Sequence, residues 1–284
     1  MGIAHLGHFE IRVTDLEKSR EFFKEVVGLY ESDADDERVY LRAWQDWDHH
    51  TLILKQDDHL GMEHAGWRVE SPDDLNHFAQ VFKDQGIDFE WFDAGREPGQ
   101  GEALRFVTPD GHHMELYAAM EKYTPKEGDP VSPLPSHPSK YTGKGIAPRR
   151  IDHLNLVSND VNASQKWIND VLGIHLRYYS EGPDGKMVGS WLSKTNLSHD
   201  VAVMINRNGT GGKLHHIAYY IDSGEELLRG AKILAENGAK IEWGPGNHGT
   251  SGATFLYFFE PSGNRVEIWT GGMLIFDPDW EPIR

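Results

Sequence analysis

The sequence contains no cysteine, is poor in basic residues for its length, and has no long apolar run. Without cysteine there is no disulfide and no thiolate ligand, so a metal has to bind histidine or carboxylate side chains. The 45 acidic residues outnumber the 28 basic ones and give a formal net charge of −17, which argues against nucleic acid or an anionic membrane as a partner. No apolar run approaches the roughly 20 residues that span a bilayer, and the N-terminal residues lack a signal-peptide pattern. These absences predict a cytoplasmic protein.

Proline is concentrated in one segment. Six of the 14 prolines lie between residues 120 and 150, where apolar residues show no periodicity. Such a composition is typical of an extended linker. A chain of 284 residues is long enough for two domains with separate cores. We therefore predict an N-terminal domain over residues 1–119, a linker over 120–148 and a C-terminal domain over 149–284.

One pattern occurs four times, twice on each side of the linker. Each copy starts with a short apolar strand, continues through an amphipathic helix and ends in several strand-like stretches. Each first strand has a histidine near its beginning: His8, His64, His153 and His216. The predicted fold is α+β, with four βαβββ modules paired into two domains. Each pair is expected to form a curved sheet that encloses a cavity, where ligands bind.

The helix boundaries follow from capping residues and glycines. The predicted starts are Thr14 with Glu17, Ser71 before Pro72, Asn159 or Asp160, and Ser223 with Glu226. The first helix is expected to present Leu16, Phe23, Val26 and Val27 on one apolar face.

Two of the four histidines have equivalent positions in the C-terminal pair of modules. If these modules are related by a pseudo-twofold axis, His153 and His216 face each other across the cavity, and Glu267 on the last strand adds a third donor. A single strand histidine is usually a hydrogen-bonded core residue, and a single strand glutamate usually faces solvent. The repeated position favours a metal site instead. Two histidines and one carboxylate leave open coordination positions, as in non-haem Fe(II) oxygenases.

The hairpin before Glu267 predicts a further member of this site. A turn at 261–263 places Glu260 opposite Asn264, and the same register places Tyr257 opposite Glu267. Directly opposed residues share a face of the sheet, with Cβ atoms about 4.5–5.5 Å apart. The phenol is then expected in the metal cavity, whereas a slip of one residue would place it on the other face.

At these residues the sequence resembles the type I extradiol ring-cleavage dioxygenases of the vicinal oxygen chelate superfamily, in the branch of catechol 2,3-dioxygenase and 2,3-dihydroxybiphenyl 1,2-dioxygenase. The resemblance covers essentially the whole chain. The family signature is met by His248, Leu256-Tyr257, Glu260-Pro261, Gly263 and Glu267. The resemblance implies a metal-dependent enzyme that inserts both atoms of O2 into a catechol-type ring and yields a muconic semialdehyde-type product. It also implies a homo-oligomer, a tetramer or larger.

The resemblance further assigns the metal ligands and the acid–base group. His153, His216 and Glu267 would bind one Fe(II), or alternatively one Mn(II), per chain. His199 would be the catalytic acid–base residue beside the dioxygen site, since a histidine titrates near neutrality.

Other residues are assigned to the substrate by the same resemblance. Tyr257 and His248 would hydrogen-bond the catecholate, although composition alone favours a surface loop for His248. Asn155 and Trp191 would line the oxygen and substrate side. Relatives that cleave catechols with a carboxylate side chain tend to have arginine where this chain has Trp243. Tryptophan cannot pair a carboxylate, so we expect an alkyl, aryl or no substituent on the ring.

The N-terminal half repeats part of this ligand set. His8, His64 and Glu115 have the same 51-residue spacing between the second histidine and the glutamate as the C-terminal set. Arg105 and Arg96 stand where the C-terminal half has its tyrosine and its signature histidine. Two arginines would repel a divalent cation, so we expect a vestigial site without metal.

Two alternatives remain open from sequence, because a fold does not determine a function. One is a metal-dependent lyase or isomerase of the glyoxalase type, which would share the metal ligands. The other is a metal-free module of the same fold that binds a small molecule. Metal content separates the binding module from both enzymes, and oxygen uptake separates the two enzymes.

Overall fold

A computed structural model describes residues 2–206 and 212–284 of the chain. Within these residues it contains the four predicted helices, α1 (Leu16–Glu21), α2 (Pro72–Gln85), α3 (Val161–Leu172) and α4 (Gly224–Glu236). None of these helices is long and apolar enough to cross a bilayer. The cytoplasmic location stays a prediction.

The N-terminal sheet has eight strands, β1 (Ile3–Val13), β2 (Tyr30–Ala34), β3 (Arg38–Arg42), β4 (Leu52–Gln56), β5 (Gly61–Val69), β6 (Phe89–Phe92), β7 (Ala103–Val107) and β8 (His113–Tyr117). Their order is β2-β3-β4-β1-β5-β8-β7-β6. The antiparallel pair β1–β5 lies at the centre, and each first strand is joined in parallel by the last strand of its own module. Two βαβββ modules therefore share one sheet.

The C-terminal sheet has eight strands as well, β9 (Arg150–Ser158), β10 (His175–Glu181), β11 (Met187–Ser193), β12 (Val201–Ile205), β13 (Lys213–Tyr220), β14 (Ile241–Asn247), β15 (Thr254–Phe259) and β16 (Arg265–Thr270). Their order, β10-β11-β12-β9-β13-β16-β15-β14, repeats that of the first sheet. The predicted α+β class with four modules in two pairs is confirmed.

The helix boundaries agree with the capping predictions at three of four sites. Ser71, Asp160 and Ser223 are the residues that cap α2, α3 and α4. The Thr14–Glu17 prediction is wrong, because the carboxylate of Asp15 accepts the hydrogen bond from the backbone N–H of Lys18 at 3.1 Å. A carboxylate one residue further along thus replaces the threonine as the cap.

The first helix is not α-helical throughout. After Glu21 it continues as a π-helix over Phe22–Val27, in which the backbone N–H of Gly28 donates to the carbonyl of Phe23. The wider turn buries all four apolar residues of the segment. The expected apolar face therefore forms, but in a helix of a different type.

The two domains and the segment between them are packed against each other. The Phe22 ring lies 6.1 Å from that of Phe258, and Phe106 lies 6.1 Å from Trp167, so each contact joins one domain to the other. No helix or strand of the described chain lies between Tyr117 and Arg150. The boundaries at 119/120 and 148/149 stay predictions.

Candidate active site

The three predicted metal donors come from the central pair of strands and its neighbour. His153 lies on β9, His216 on β13 and Glu267 on β16. The Nε2 atoms of both histidines lie 3.0 Å from Oε2 of Glu267 and 3.3 Å from each other. All three residues are buried. The expected convergence of the three side chains is therefore present.

This donor set suits a divalent metal ion. The three donor atoms all lie within 4.8 Å of one another. Burial alone would raise the pKa of Glu267, but the neighbouring His216 and hydrogen bonds from the surrounding histidines hold it well below its ordinary value. Glu267 is thus an anion between two imidazole nitrogens, which is a ligand set of non-haem Fe(II) and similar ions.

Asp152 supports one of the donors, and the sequence analysis missed it. Its Oδ1 accepts from Nδ1 of His153 at 3.1 Å, and its Oδ2 lies 2.7 Å from the guanidinium of Arg150. A carboxylate on the far nitrogen fixes the orientation of a ligating imidazole. The adjacent Asp-His pair was the available sequence signal.

The predicted register of the hairpin is confirmed. Tyr257 pairs with Glu267, and its hydroxyl lies 3.2 Å from Nε2 of His248. The same nitrogen lies 3.2 Å from Oε1 of Glu267. His248 follows β14 directly and stacks on the Phe255 ring at 3.9 Å, so it belongs to the cavity rather than to a free surface loop.

His199 lies on the other side of the metal donors. Its ring centre is 4.1 Å from that of His153. Its Nδ1 is 3.0 Å from the hydroxyl of Tyr178, a second residue that the sequence analysis missed. Complete burial, together with the nearby His153, lowers the pKa of His199 well below its ordinary value, so the ring is neutral. Tyr178 in turn stacks on Trp191 at 4.8 Å.

A cavity of about 370 Å³ opens over these groups. Besides the three donors, it is lined by the remaining predicted site residues, Asn155, Trp191, His199, Trp243, His248 and Tyr257. Trp243 lies at the solvent side, with 63% of its surface exposed. The guanidinium of Arg265 also borders the cavity, but it donates to Glu242 at 2.5 Å and lies over the Tyr257 ring at 4.0 Å. The walls of the cavity are thus mainly aromatic.

The N-terminal sheet brings His8, His64 and Glu115 together as well. Glu97, which the sequence analysis missed, joins them, and donor atoms of the four residues lie within 4.8 Å of one another. The expectation that Arg96 faces this cluster is wrong. Arg96 is exposed and lies over the Phe92 ring at 4.4 Å, because it belongs to the loop after β6.

Family comparisons agree with this fold and site. Residues 62–121 match the Catechol 2,3-dioxygenase-like N-terminal domain, and residues 150–268 match the Glyoxalase/Bleomycin resistance protein/Dioxygenase superfamily. A "Manganese-dependent 2,3-dihydroxybiphenyl 1,2-dioxygenase" of Geobacillus genomosp. 3 is 43% identical over 99% of this chain and 90% of its own length. The chain belongs to the type I extradiol dioxygenases of the vicinal oxygen chelate superfamily.

Further relatives come from the same class. A "Metapyrocatechase" of Geobacillus stearothermophilus is 36% identical over 99% of this chain and 85% of its own. Among solved structures, the 2,3-dioxygenase LapB from Pseudomonas sp. KL28 gives a TM-score of 0.90 at 33% identity, over 99% of this chain and 96% of that one. These similarities support a ring-cleaving oxygenase and give no support to the lyase or the binding module.

Proposed function

We propose that the chain cleaves a catechol ring beside its two hydroxyl groups, with O2 and one Fe(II) or Mn(II) ion held by His153, His216 and Glu267. The observation that carries the proposal is the convergence of two imidazoles and one anionic carboxylate in a buried aromatic cavity. When bound, such an ion would lower the pKa of a coordinated hydroxyl and would bring the diol and O2 together. Both oxygen atoms enter the product, so the reaction needs no external reductant.

The chain's own residues then orient the diol and move protons. Burial raises the pKa of Tyr257, and the nearby negative charge of Glu267 raises it further. The side chain of Tyr257 therefore stays a phenol and can donate a hydrogen bond to a substrate oxygen. His248, which contacts both residues, would bind the same oxygen. With Nδ1–H of neutral His199 donating to the hydroxyl oxygen of Tyr178, Nε2 would keep its lone pair, take a proton from the substrate side and return it.

We further propose that the ring carries an alkyl or aryl substituent, or none. Trp191, Met204 and Trp243 line the cavity. The guanidinium of Arg265 is already paired with Glu242, so no free cation is offered to a substrate carboxylate by these residues.

The test is oxygen uptake by protein purified without air and loaded in parallel with Fe(II) or Mn(II). Catechol, 3-methylcatechol, 2,3-dihydroxybiphenyl and homoprotocatechuate serve as substrates, and Glu267→Gln is the matched control. We expect one O2 per catechol and a yellow product, with homoprotocatechuate the poorest substrate. Metal binding without oxygen uptake would contradict the proposal and favour the lyase or isomerase function.

We also propose a homo-oligomer, a tetramer or larger, on the strength of the family resemblance. Exposed apolar side chains of the linker and tail, among them Leu134 and Phe276, are available to subunit contacts. Light scattering after size-exclusion chromatography measures the mass directly, and a monomer at micromolar concentration contradicts the proposal.

A further inference from the structure

The N-terminal cluster has two histidines and a glutamate on the strands equivalent to those of the catalytic site, with Arg105 in place of Tyr257. Arg105 pairs with Glu115 in the β7–β8 hairpin at the register that Tyr257 has with Glu267 in β15–β16. A strand residue at this position points to the same face as the glutamate. The N-terminal sheet therefore delivers a guanidinium to the place where the C-terminal sheet delivers a phenol.

Arg105 contacts three of the four possible metal donors. Its Nε donates to Oε2 of Glu115 at 2.5 Å, and its Nη2 donates to Oε1 of Glu97. The same Nη2 lies 3.3 Å from Nε2 of His64. We propose that Arg105 is the resident cation of this cluster, and that without it the side chains of His8, His64, Glu97 and Glu115 bind a divalent transition-metal ion.

The donor distances show what the guanidinium does to the ligand set. Oε1 of Glu115 lies 3.8 Å from Nε2 of His8 and 4.0 Å from Nε2 of His64, whereas both catalytic histidines lie 3.0 Å from their glutamate. Glu115 is held away from the histidines by Arg105 and by the side-chain amide of Gln100, which donates to it at 2.7 Å. The two histidines remain in contact, with Nε2 atoms 2.9 Å apart. Loss of the guanidinium frees the carboxylate to approach them.

The cluster also holds polar atoms that point to an ion. Glu97 is only 5% exposed, and its Oε2 makes no hydrogen bond among the described residues; it lies 3.4 Å from Nε2 of His8 and 3.7 Å from the buried Nε2 of His50, which makes none either. Buried carboxylate oxygens and imidazole nitrogens without partners are unusual in a folded protein. Eighteen residues before Glu267, at the spacing that separates Glu97 from Glu115, the C-terminal half has Gly249, and the N-terminal cluster has one carboxylate more than the catalytic site. The additional negative charge of Glu97 is balanced by a cation, which is either the guanidinium of Arg105 or a metal ion.

The two cations exclude each other. A divalent ion at the histidines would lie within a few ångströms of the guanidinium, and like charges at that distance repel strongly in a buried site. The Arg105 side chain is 24% exposed, so its removal opens a path from solvent to the cluster. The chain with Arg105 is therefore expected to bind one metal ion, at the catalytic site.

Metal content of the full chain tests the proposal independently of catalysis. In a parent whose catalytic donors are removed by His153→Ala and Glu267→Gln, we expect no bound Co(II) after dialysis. Adding Arg105→Gln should give one Co(II) per chain with a ligand-field absorption spectrum. Arg105→Lys, which keeps the positive charge, should bind none. A fourth variant, Arg105→Gln with His8→Ala, should lose the ion again.

The variant without Arg105 has two buried glutamates that lack a positive partner and can therefore be less stable. Thermal melting then detects metal binding as a rise in Tm. Mn(II) should raise the Tm of the Arg105→Gln chain and leave that of the parent unchanged. A second variant, Arg105→Tyr, carries the residue of the equivalent catalytic position and should behave in the same way. The proposal is overturned if neither variant binds metal or responds to Mn(II), or if the parent with Arg105 binds one Co(II) at the N-terminal cluster.

Discussion

The hydroxyl of Tyr257 and the carboxylate Oε1 of Glu267 both lie 3.2 Å from the same nitrogen of His248. Tyr257 is held there by the β15–β16 register, which sets it directly opposite Glu267. The phenol and the metal ligand are thus positioned by one hairpin, and the contribution of the hydroxyl can be measured without disturbing the ligands.

Tyr257→Phe should leave one metal per chain and reduce kcat/KM for the catechol. Loss of a hydrogen bond to an ionised substrate oxygen costs roughly 1.5–3 kcal/mol, which corresponds to about a 10- to 150-fold decrease. Metal analysis and steady-state oxygen uptake measure the two quantities. Unchanged kcat/KM would show that the hydroxyl makes no contact with the substrate.

Tyr178 is expected to position His199. Tyr178→Phe removes the hydroxyl 3.0 Å from Nδ1 and leaves that of Ser198 at 3.2 Å, so the imidazole is held less firmly in one orientation and tautomer. We expect kcat to fall by about tenfold or more and its pH profile to change, while KM and metal content stay the same. Tyr179→Phe, one residue along β10, is the matched control and should leave all four quantities unaltered. A pH profile unchanged by Tyr178→Phe would contradict the positioning role.

Trp243 offers a test of substrate choice. Trp243→Arg places a guanidinium at the solvent side of the cavity, where it can pair with a carboxylate side chain of the substrate. The ratio of kcat/KM for homoprotocatechuate to that for 3-methylcatechol should rise by about tenfold or more. Trp243→Phe keeps an apolar ring and should leave the ratio near that of the parent. An equal ratio in the Arg variant would show that Trp243 does not face the substituent.

Glu10 is expected to make the free energy of unfolding depend on pH in the acidic range. Burial raises the pKa of its carboxyl, but the contacts with His64 and Arg38 outweigh this and set it at about 2. The folded-state pKa lies below the unfolded value of 4.5, so its stabilisation is complete above about pH 4.5 and is lost as the pH falls toward 2.

At neutral pH, Glu10→Gln should lower the free energy of unfolding by on the order of 2–3 kcal/mol. The difference from the parent should shrink as the pH falls from about 5 toward 2. Denaturant titrations at several pH values measure it. Glu37→Gln is the control, because that side chain is 73% exposed and should change stability little. A deficit that is constant over this pH range would contradict the assignment to Glu10.

Glu260, which the family signature includes, has a structural role between the domains. Its buried carboxylate accepts from the hydroxyl of Ser19 in the N-terminal domain at 2.7 Å and from the backbone N–H groups of Ser262 and Asn264 at 3.0 and 2.9 Å. Glu260→Gln turns an amide donor toward these donors and should cost about 1–3 kcal/mol. Calorimetry should show a lower Tm, and Ser19→Ala a smaller decrease. An unchanged Tm in the Gln variant would rule out this role.

The parts of the site that lie on regular strands could be predicted from sequence. His153, His216 and Glu267 converge because repeated modules place equivalent residues on equivalent strands. Tyr257 could be placed because the turn after Glu260 fixes the register of its hairpin.

The parts that depend on irregular backbone or tertiary contact could not be predicted. Glu97 lies between β6 and β7, where no periodicity shows which way a side chain points. Tyr178 and Tyr179 are adjacent on β10, and only the packing on Trp191 shows which of them reaches His199. The π-helix over Phe22–Val27 has the same apolar pattern as an α-helix, so its wider turn is decided by what it packs against.

Because the guanidinium of Arg105 lies between Glu97 and Glu115, the N-terminal cluster needs no cation from solution, whereas the C-terminal site does. A metal ion at His153, His216 and Glu267 would come from solution, so the occupancy of that site would follow the metal supply. The cation of the N-terminal cluster is a side chain of the protein, so every copy of the chain contains it. Without iron or manganese, the C-terminal site would therefore lose its activity, whereas the N-terminal cluster would keep the positive charge of Arg105.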